Sequence, residues 1–275
     1  MDDSRAETTP RAQADLQIDR PHPARVYDCL LGGKDNFAAD RETVAQNLKA
    51  NPNARIPPRE NRDFLRRAVT YLAEDAGIRQ FLDIGTGIPT SPNVHEVAQA
   101  VDPTARVVYV DNDPIVLAHA RALLTSTPGG KTAYIDADLR DVNGVLGAPD
   151  LRETLDLSQP VGLLLFGVMH LFSDSDDPHG ITARFLDALP SGSYLALSHL
   201  TGDFDPEAWE QVAAVARKHA DVTMRVRSKQ DIERFFDGLE VVDPGVQPVH
   251  QWRPEAFPEV TDVQVSLYGG VARKP

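Results

Sequence analysis

From residue 80 onward, short apolar runs alternate along the chain with longer segments in which apolar residues recur every three or four positions. Short runs rich in β-branched and aromatic residues are typical of buried strands, and the longer spacing is typical of helices that bury one face. Strands that alternate with helices form a parallel sheet with crossover helices, so the pattern predicts an α/β fold. The predicted strands are FLDI, VVYV, TAYI, LLLFG and YLALS, with a closing pair in LEVV and VQVSLYGGVARK.

The helices predicted between these strands cover 92–101, 114–124, 180–188 and 205–219, with a short one from Ser228 to Gly238. Residues 1–20 are polar and lack a hydrophobic period, which predicts a tail without regular structure. Residues 21–58 indicate a helical N-terminal cover with a turn at Gly32-Gly33. A helix that begins at Pro57-Pro58 leads into residues 59–275, which we expect to form one sheet domain.

Composition narrows the functions expected of this fold. The 275 residues carry a net charge of -13, which disfavours binding to nucleic-acid phosphates and to anionic membranes. The longest apolar run, Val161–Met169, is far shorter than the ~20 residues of a membrane helix, and the acidic N-terminus does not resemble a secretory signal. Cys29 is the single cysteine, so we expect no intrachain disulfide and a location in the reducing cytoplasm.

The segment FLDIGTGIPT (81–90) is the most informative part of the chain. A strand runs into Gly85 and Gly87, and Ser91 is predicted to cap the next helix, with Pro92 in its first turn. Such a turn brings backbone N–H groups close to a ligand at the carboxyl edge of a sheet. Glycine turns also occur for purely structural reasons, so the loop alone leaves both interpretations open.

Two residues distinguish between nucleotide ligands. A dinucleotide fold needs a third glycine where this chain has Thr90, which disfavours NAD. Asp83, directly before the loop, would repel a pyrophosphate but attract the ammonium group of an amino acid. S-adenosylmethionine has that ammonium group and no phosphate.

Acidic residues also follow the next two predicted strands. Asp111 comes 24 residues after Gly87, where a carboxylate can bind ribose hydroxyls; the alternative is a helix cap, although Asp113 fits that role better. Asp138 and Leu139 follow the third strand, where adenine would lie, although Asp138 alone is more typical of a turn. Three acids at the ends of three successive strands favour a binding site more strongly than any one of them.

On these residues the sequence resembles the class I S-adenosylmethionine-dependent methyltransferases. More narrowly, it resembles a bacterial S-adenosyl methyltransferase family that was formerly a domain of unknown function. The segments that carry this narrower resemblance are ARVYDCLLGGKDNFAADRE (24–42), VVYVDNDPIVLAHARALL (107–124), GVMHLFSDSDDP (167–178), LPSGSYLALSHLTGD (189–203) and the closing YGGVARKP.

The resemblance implies a Rossmann-like, seven-stranded, mostly parallel sheet in the order 3-2-1-4-5-7-6, with the last strand antiparallel and helices on both faces. It also implies S-adenosyl-L-methionine as the cofactor. The cofactor-binding residues expected on this basis are Asp83, Gly85, Gly87, Asp111, Asp138 and Leu139, with Gly33 and Asn36 in the N-terminal cover. Asn112 and Phe166 are further expected contacts; the alternative for Phe166 is plain core.

Catalytic candidates are few, because a methyl group on a sulfonium is already activated. His170, just after LLLFG, is the best-placed general base; the alternative is a packed wall residue. Three nearby aspartates and His179 are compatible with a metal, but Asp177-Pro178 fits an ordinary helix cap, and we expect no metal. Arg62, Arg66 and Arg67 are interpreted as a solvated helix face.

No Asn-Pro-Pro-aromatic tetrapeptide follows LLLFG, and this signature accompanies amino-group methylation in nucleic acids and some proteins. Together with the negative charge, its absence favours a small-molecule acceptor methylated on oxygen or nitrogen. Two alternatives remain open: a regulatory module that binds S-adenosylmethionine or S-adenosylhomocysteine without transferring a methyl group, and, less favoured, an NAD-dependent oxidoreductase. Neither the acceptor nor the oligomeric state follows from the sequence.

Overall fold

The computed structural model describes residues 17–123, 126–220 and 222–275. Residues 1–16 of the predicted tail, and the end of the helix predicted over 114–124, lie outside these residues. The helices are α1 (Pro23–Leu31), α2 (Ala38–Ala50), α3 (Ile56–Glu74), α4 (Val94–Val101), α5 (Pro114–Leu123), α6 (Val142–Gly147), α7 (Pro149–Thr154), α8 (Pro178–Asp187), α9 (Pro206–Ala220), α10 (Lys229–Glu233) and α11 (Asp262–Val265). The strands are β1 (Gln80–Ile84), β2 (Arg106–Asp111), β3 (Lys131–Asp136), β4 (Gly162–Phe166), β5 (Tyr194–Leu200), β6 (Glu240–Val241), β7 (Gln247–Pro248) and β8 (Leu267–Arg273).

Within the described residues, the strands form one sheet in the order β3-β2-β1-β4-β5-β8-β6, and the two-residue strand β7 pairs with β8 outside this path. Strands β1 to β5 are parallel to one another, and β8 runs antiparallel to β5. The predicted α/β fold class and strand order are therefore confirmed, with β8 as the antiparallel strand and β7 as an addition that the sequence pattern did not predict.

Alternation along each strand gives the sheet two buried faces. Phe81 packs into the hydrophobic layer on one face and Leu82 into the layer on the other. Helices cover both faces, as expected for a parallel sheet. Because the parallel strands all point the same way, the residues that follow β1, β2, β3 and β4 meet at one edge of the sheet.

Two predicted boundaries are wrong. The helix after the glycine loop is capped by Asn93, not Ser91: Glu96 accepts from the backbone N–H of Asn93 in a capping box, and α4 begins at Val94. The predicted closing strand also starts too early, because residues 262–265 form α11, which the side chain of Thr261 caps.

Helices α1 and α2 lie over the carboxyl edge of the sheet, where the buried Arg25 of α1 forms an ion pair with Asp113. Nε of Arg25 lies 3.3 Å from Oδ2 of Asp113, which follows β2, and Nδ1 of His22 lies 3.0 Å from the same atom. Ala24 packs against Ile88 in the glycine loop and Val116 in α5. The boundary predicted at residue 58 falls in the first turn of α3.

The predicted solvated arginine face of α3 is wrong. Arg67 donates to the backbone carbonyls of Trp252 (3.0 Å) and Val249 (2.7 Å), which fastens the C-terminal loop to the helix. Arg66 forms a bidentate pair with exposed Glu255. The side chains thus bind backbone and loop groups that are distant in sequence, a pairing that helical periodicity does not reveal.

We predict that Arg67→Met lowers the free energy of unfolding by about 2 kcal/mol, because the carbonyls of two buried residues, Val249 and Trp252, lose a charged donor. Arg66→Met, the matched change one position earlier, removes only an exposed ion pair and is expected to cost less than about 1 kcal/mol. Urea unfolding of both variants followed by circular dichroism checks this. Equal midpoints for the two variants would contradict the assignment.

Candidate active site

A cavity of about 1060 Å³ lies between the carboxyl edge of the sheet and the cover helices. Its two ends differ in chemistry. The strand-tip end is formed by Asp83, Gly85, Gly87, Asp111, Asp138 and Leu139. The apolar chamber is formed by Leu65, Leu200, Trp209, Val212, Met224 and Leu267.

The glycine loop bends around the strand-tip end. Gly85 has φ +72° and Gly87 φ +67°, both in the left-handed region that favours glycine. A Cβ on Gly85 would lie 2.5 Å from the Val168 side chain, so packing also requires glycine there. A Cβ on Gly87 would meet no atom within 4 Å and would stand in open space where the loop lines the cavity.

Asp83 is a buried carboxylate at the tip of β1. Its Oδ2 accepts a hydrogen bond of 2.8 Å from the Thr86 hydroxyl. Burial raises the pKa of Asp83 to about 6, although Thr86 and the positive charge of Arg62 act in the opposite direction. A cation placed beside Asp83 would stabilise its ionised form, so this position suits an ammonium group.

Asp111 lies at the tip of β2, and both of its carboxylate oxygens accept hydrogen bonds. Its Oδ2 accepts from the backbone N–H of Gly87 (2.8 Å) and its Oδ1 from that of Asp113 (3.0 Å). Burial raises the pKa of Asp111 despite these bonds. Asp113 accepts from the N–H of Ile115 at the start of α5, which confirms it as the helix cap.

Asp138 and Leu139 follow β3 and line the same end of the cavity, as does Asn112. The Asp138 carboxylate is held by Arg140, whose Nε lies 3.0 Å from each of its oxygens, and this hydrogen bonding lowers the pKa of Asp138. Leu139 is buried beside it. A polar and an apolar side chain are thus adjacent at the third strand tip.

Arg62 on α3 is a site residue that the sequence analysis missed. It lines the cavity close enough to Asp83 to influence its pKa. Its guanidinium donates to the carbonyls of Thr90 (2.6 Å) and Pro92, and its buried Nε has no partner among the described residues. In the sequence, Arg62 precedes Asp83 by 21 positions, and only the folded structure shows that the two side chains are neighbours.

Phe166 is the last residue of β4 and His170 follows that strand, and both line the cavity. Phe166 packs edge-to-face on Phe64, with ring centroids 5.6 Å apart. His170 is buried, and its Nδ1 has no hydrogen-bond partner within the described residues. Burial, with the nearby charge of Arg227, lowers the pKa of His170 to about 3. The ring is therefore neutral at physiological pH and binds a proton weakly, which argues against a general base.

Two predicted contacts in the cover do not line the cavity. Asn36 donates to the carboxylate of Asp28 (2.8 Å) and to the carbonyl of Gly33 (3.0 Å), so its amide stabilises the turn between α1 and α2. Gly33 lies so close to Asp28 that a Cβ would overlap that carboxylate. His22 and Tyr27 of the cover line the cavity instead.

The aspartates after β4 cap helices and form an ion pair. Asp177 accepts from the N–H of Gly180 and caps α8, as predicted. Asp174 pairs with the buried Arg227 at 2.8 Å, and Asp176 accepts from Ser173. Within the residues that the structure describes, no group of three or more metal-ligating side chains occurs. No helix among the described residues is long and apolar enough to cross a membrane.

The fold and this edge of the sheet are those of a Rossmann-like, class I methyltransferase. The chain also matches the family model for S-adenosyl methyltransferases over residues 9–275. It therefore belongs to that family, whose members use S-adenosylmethionine as the methyl donor, and it is an S-adenosylmethionine-dependent methyltransferase.

Two solved structures resemble the whole chain. A DUF574 family protein from Streptomyces avermitilis MA-4680 is 49% identical, with a TM-score of 0.92, over 94% of this chain and 100% of that one. A protein from Thermobifida fusca YX, provisionally described as a methyltransferase, is 42% identical, with a TM-score of 0.88, over 94% and 97% of the two chains. No protein with a curated description matches.

A more distant structure shares the fold alone. A SAM-dependent methyltransferase from Anabaena variabilis ATCC 29413 is 12% identical, with a TM-score of 0.50, over 93% of this chain and 97% of that one. The similarity supports the strand order and not the acceptor.

The lowered pKa of His170 predicts a pH effect on stability. In the unfolded chain this histidine titrates near pH 6.5 and in the folded protein near 3, so between these values only the unfolded state binds the proton. His170 therefore destabilises the fold as the pH falls below 6.5, by about 2 kcal/mol at pH 5. We expect His170→Gln to have a shallower loss of stability between pH 7 and pH 5 in urea unfolding. Parallel curves for the variant and the wild type would refute the assigned pKa.

Proposed function

We propose that this methyltransferase transfers the methyl group of S-adenosylmethionine to an oxygen or nitrogen of a small, largely apolar molecule. The cofactor would lie along the strand-tip end and the acceptor in the apolar chamber. The observation that carries the proposal is the cavity itself, which joins three strand-tip carboxylates to an uncharged chamber beneath one cover.

The amino-acid end of the cofactor fits between Asp83 and Arg62. Asp83 is a buried carboxylate that accepts a hydrogen bond from the Thr86 hydroxyl, and an ammonium group would stabilise its ionised form. The buried Nε–H of Arg62 has no partner among the described residues and could donate to the carboxylate of the same ligand. A cation partner and an anion partner side by side match a zwitterion.

The nucleoside part fits the remaining strand tips. The open space at Gly87 leaves room for a ligand against the loop backbone. Asp111 has acceptor capacity for ribose hydroxyls beyond its two backbone bonds, since an ionised carboxylate offers about four lone-pair sites. Asp138 and Leu139 offer a hydrogen-bond acceptor and an apolar surface for adenine. Asn112 and Phe166 complete this wall.

When bound, the cofactor supplies a methyl group already activated by a sulfonium. The acceptor atom would form its bond to the methyl carbon as the carbon–sulfur bond breaks, and an O–H or N–H acceptor would release its proton. His170 is neutral and its Nδ1 has no partner in the described part of the chain, so it can accept a hydrogen bond from the acceptor and orient it. The proton then leaves to solvent, because His170 binds it only weakly.

The apolar chamber favours a small molecule over a polymer. Its residues come from α3, β5, α9, β8 and the segment before α10, and they belong to one hydrophobic cluster with Phe166. Helix α2 of the cover packs on α9 above them. A compact apolar molecule fits such a covered space, whereas a nucleic acid would meet a protein with a net charge of -13.

We predict that the affinity for S-adenosylhomocysteine falls about tenfold between pH 7 and pH 5, because Asp83, with a pKa of about 6, must be ionised to bind the ammonium group. Asp83→Asn should bind more weakly and lose this pH dependence. Isothermal titration calorimetry at several pH values measures both effects. The same pH dependence in wild type and variant would exclude Asp83 as the partner.

Arg62→Met should lower the affinity for S-adenosylhomocysteine about tenfold, which corresponds to the loss of one charge-assisted hydrogen bond. It should leave the affinity for methylthioadenosine unchanged, because that nucleoside lacks the amino-acid end. Arg66→Met, on the same helix but paired with Glu255, is the control and should bind both ligands as the wild type does. Equal losses for the two ligands would show that Arg62 only supports the loop.

The function itself is tested with methyl-labelled S-adenosylmethionine and a cell extract separated into small-molecule, protein and nucleic-acid fractions. We expect the purified enzyme to label a component of the small-molecule fraction that partitions into organic solvent, and Asp83→Asn to label it much more slowly. Label confined to protein or nucleic acid would overturn the proposed acceptor class. Cofactor binding without any labelled product would favour the regulatory module.

A further inference from the structure

We propose that Trp209 and Asn47 recognise the acceptor in the apolar chamber. Nε1 of Trp209 donates to an oxygen of the acceptor, and Oδ1 of Asn47 accepts from its hydroxyl or amide group. The ligand class is a neutral, largely apolar molecule with a hydrogen-bond donor and an acceptor at its polar end. This inference rests on the proposed function and specifies the substrate class for the same site.

Both atoms are buried beside the cavity. Trp209 is 3% exposed and Asn47 6%, and neither Nε1 nor Oδ1 has a hydrogen-bond partner among the described residues. A buried polar group left without a partner costs about 1–3 kcal/mol, so such atoms are normally satisfied. Both residues line the cavity, and their helices α9 and α2 pack against each other. A ligand in the chamber can satisfy both.

Trp252 shows that burial without a partner does not by itself indicate a ligand contact. Its Nε1 is also buried and without a partner among the described residues. Its indole, however, packs against Phe64, Tyr71 and Arg253 and does not line the cavity. Trp209 differs because the cavity provides room for a partner.

The charges around the cavity select a neutral ligand. Asp83, Asp111 and Asp138 lie at the strand-tip end, and Arg25 is paired with Asp113 in the cover. At the α9 side, Lys218 and the adjacent histidine are exposed at the rim. The six side chains that form the chamber, and Asn47 beside them, carry no charge, so a charged ligand would be desolvated there without a counter-ion.

The test uses the two indole N–H groups as internal probe and control, since the chain contains two tryptophans. With the protein saturated by S-adenosylhomocysteine, acetylnaphthol is titrated while the ¹⁵N-indole signals are recorded. We expect the Trp209 signal to shift and the Trp252 signal to stay in place. Trp209→Phe identifies the signals and keeps the apolar ring.

Matched probes test the ligand class. Acetylnaphthol should bind at least tenfold more tightly than hydroxynaphthoate, which is an anion, or aminomethylnaphthol, which is a cation. Trp209→Phe and Asn47→Leu should each lower the affinity for acetylnaphthol about tenfold, as expected for one lost hydrogen bond. Trp252→Phe is the control and should bind it as the wild type does. None of these variants should alter the affinity for S-adenosylhomocysteine.

Three outcomes would overturn the inference: an unmoved Trp209 signal with all three probes, tighter binding of a charged probe, or equal losses in Trp209→Phe and Trp252→Phe. Each can occur while S-adenosylhomocysteine still binds, which would leave the cofactor site intact. If S-adenosylhomocysteine itself fails to bind, the proposed function fails first.

Discussion

The parallel sheet brings several carboxylates together at one edge, and the rest of the site depends on how each is stabilised there. Asp113 is paired with Arg25 and His22, and Asp111 accepts two backbone N–H groups. Asp83 has a single hydroxyl donor and keeps a raised pKa. Burying like charges is unfavourable, so a positive ligand stabilises this edge most at Asp83. Because the fold buries these carboxylates together, it favours a cofactor that places a positively charged group beside Asp83.

The stabilisation of Asp113 also determines where the cover lies. The ion pair with Arg25 fixes α1 over the tip of β2, and α2 then packs against α9, above the apolar chamber. A second connection runs through Asn61, which donates to the Tyr27 hydroxyl and accepts from Ser198 at 2.6 Å. The cover therefore contacts the walls of both ends of the cavity, and displacing it would expose both together.

Features set by neighbouring residues were predictable from the sequence. The strands, the glycine turn and the acids at the carboxyl ends of β1, β2 and β3 follow from short patterns with a physical cause. Features that depend on distant segments were not: Arg62 acts on carbonyls about 30 residues away. The error at α11 had a local cause. The alternation of Val263 and Val265 was interpreted as a strand, whereas Thr261 and Gln264, three residues later, form the capping box of a short helix. Gly33 and Asn36 were assigned by resemblance, and the Asp28 carboxylate engages that turn instead.

His170 illustrates why position alone does not define a base. It follows β4 as predicted, but Arg227, itself 4% exposed, donates to the carbonyl of Met169 and to Nε2 of His199 and so places a fixed positive charge behind the ring. Burial and that charge together oppose protonation. A site without a strong base still suits transfer from a sulfonium, because the leaving group is already activated. Rate then depends on how the acceptor is oriented and on how readily it loses its own proton, so selectivity lies in the chamber and not in a catalytic side chain.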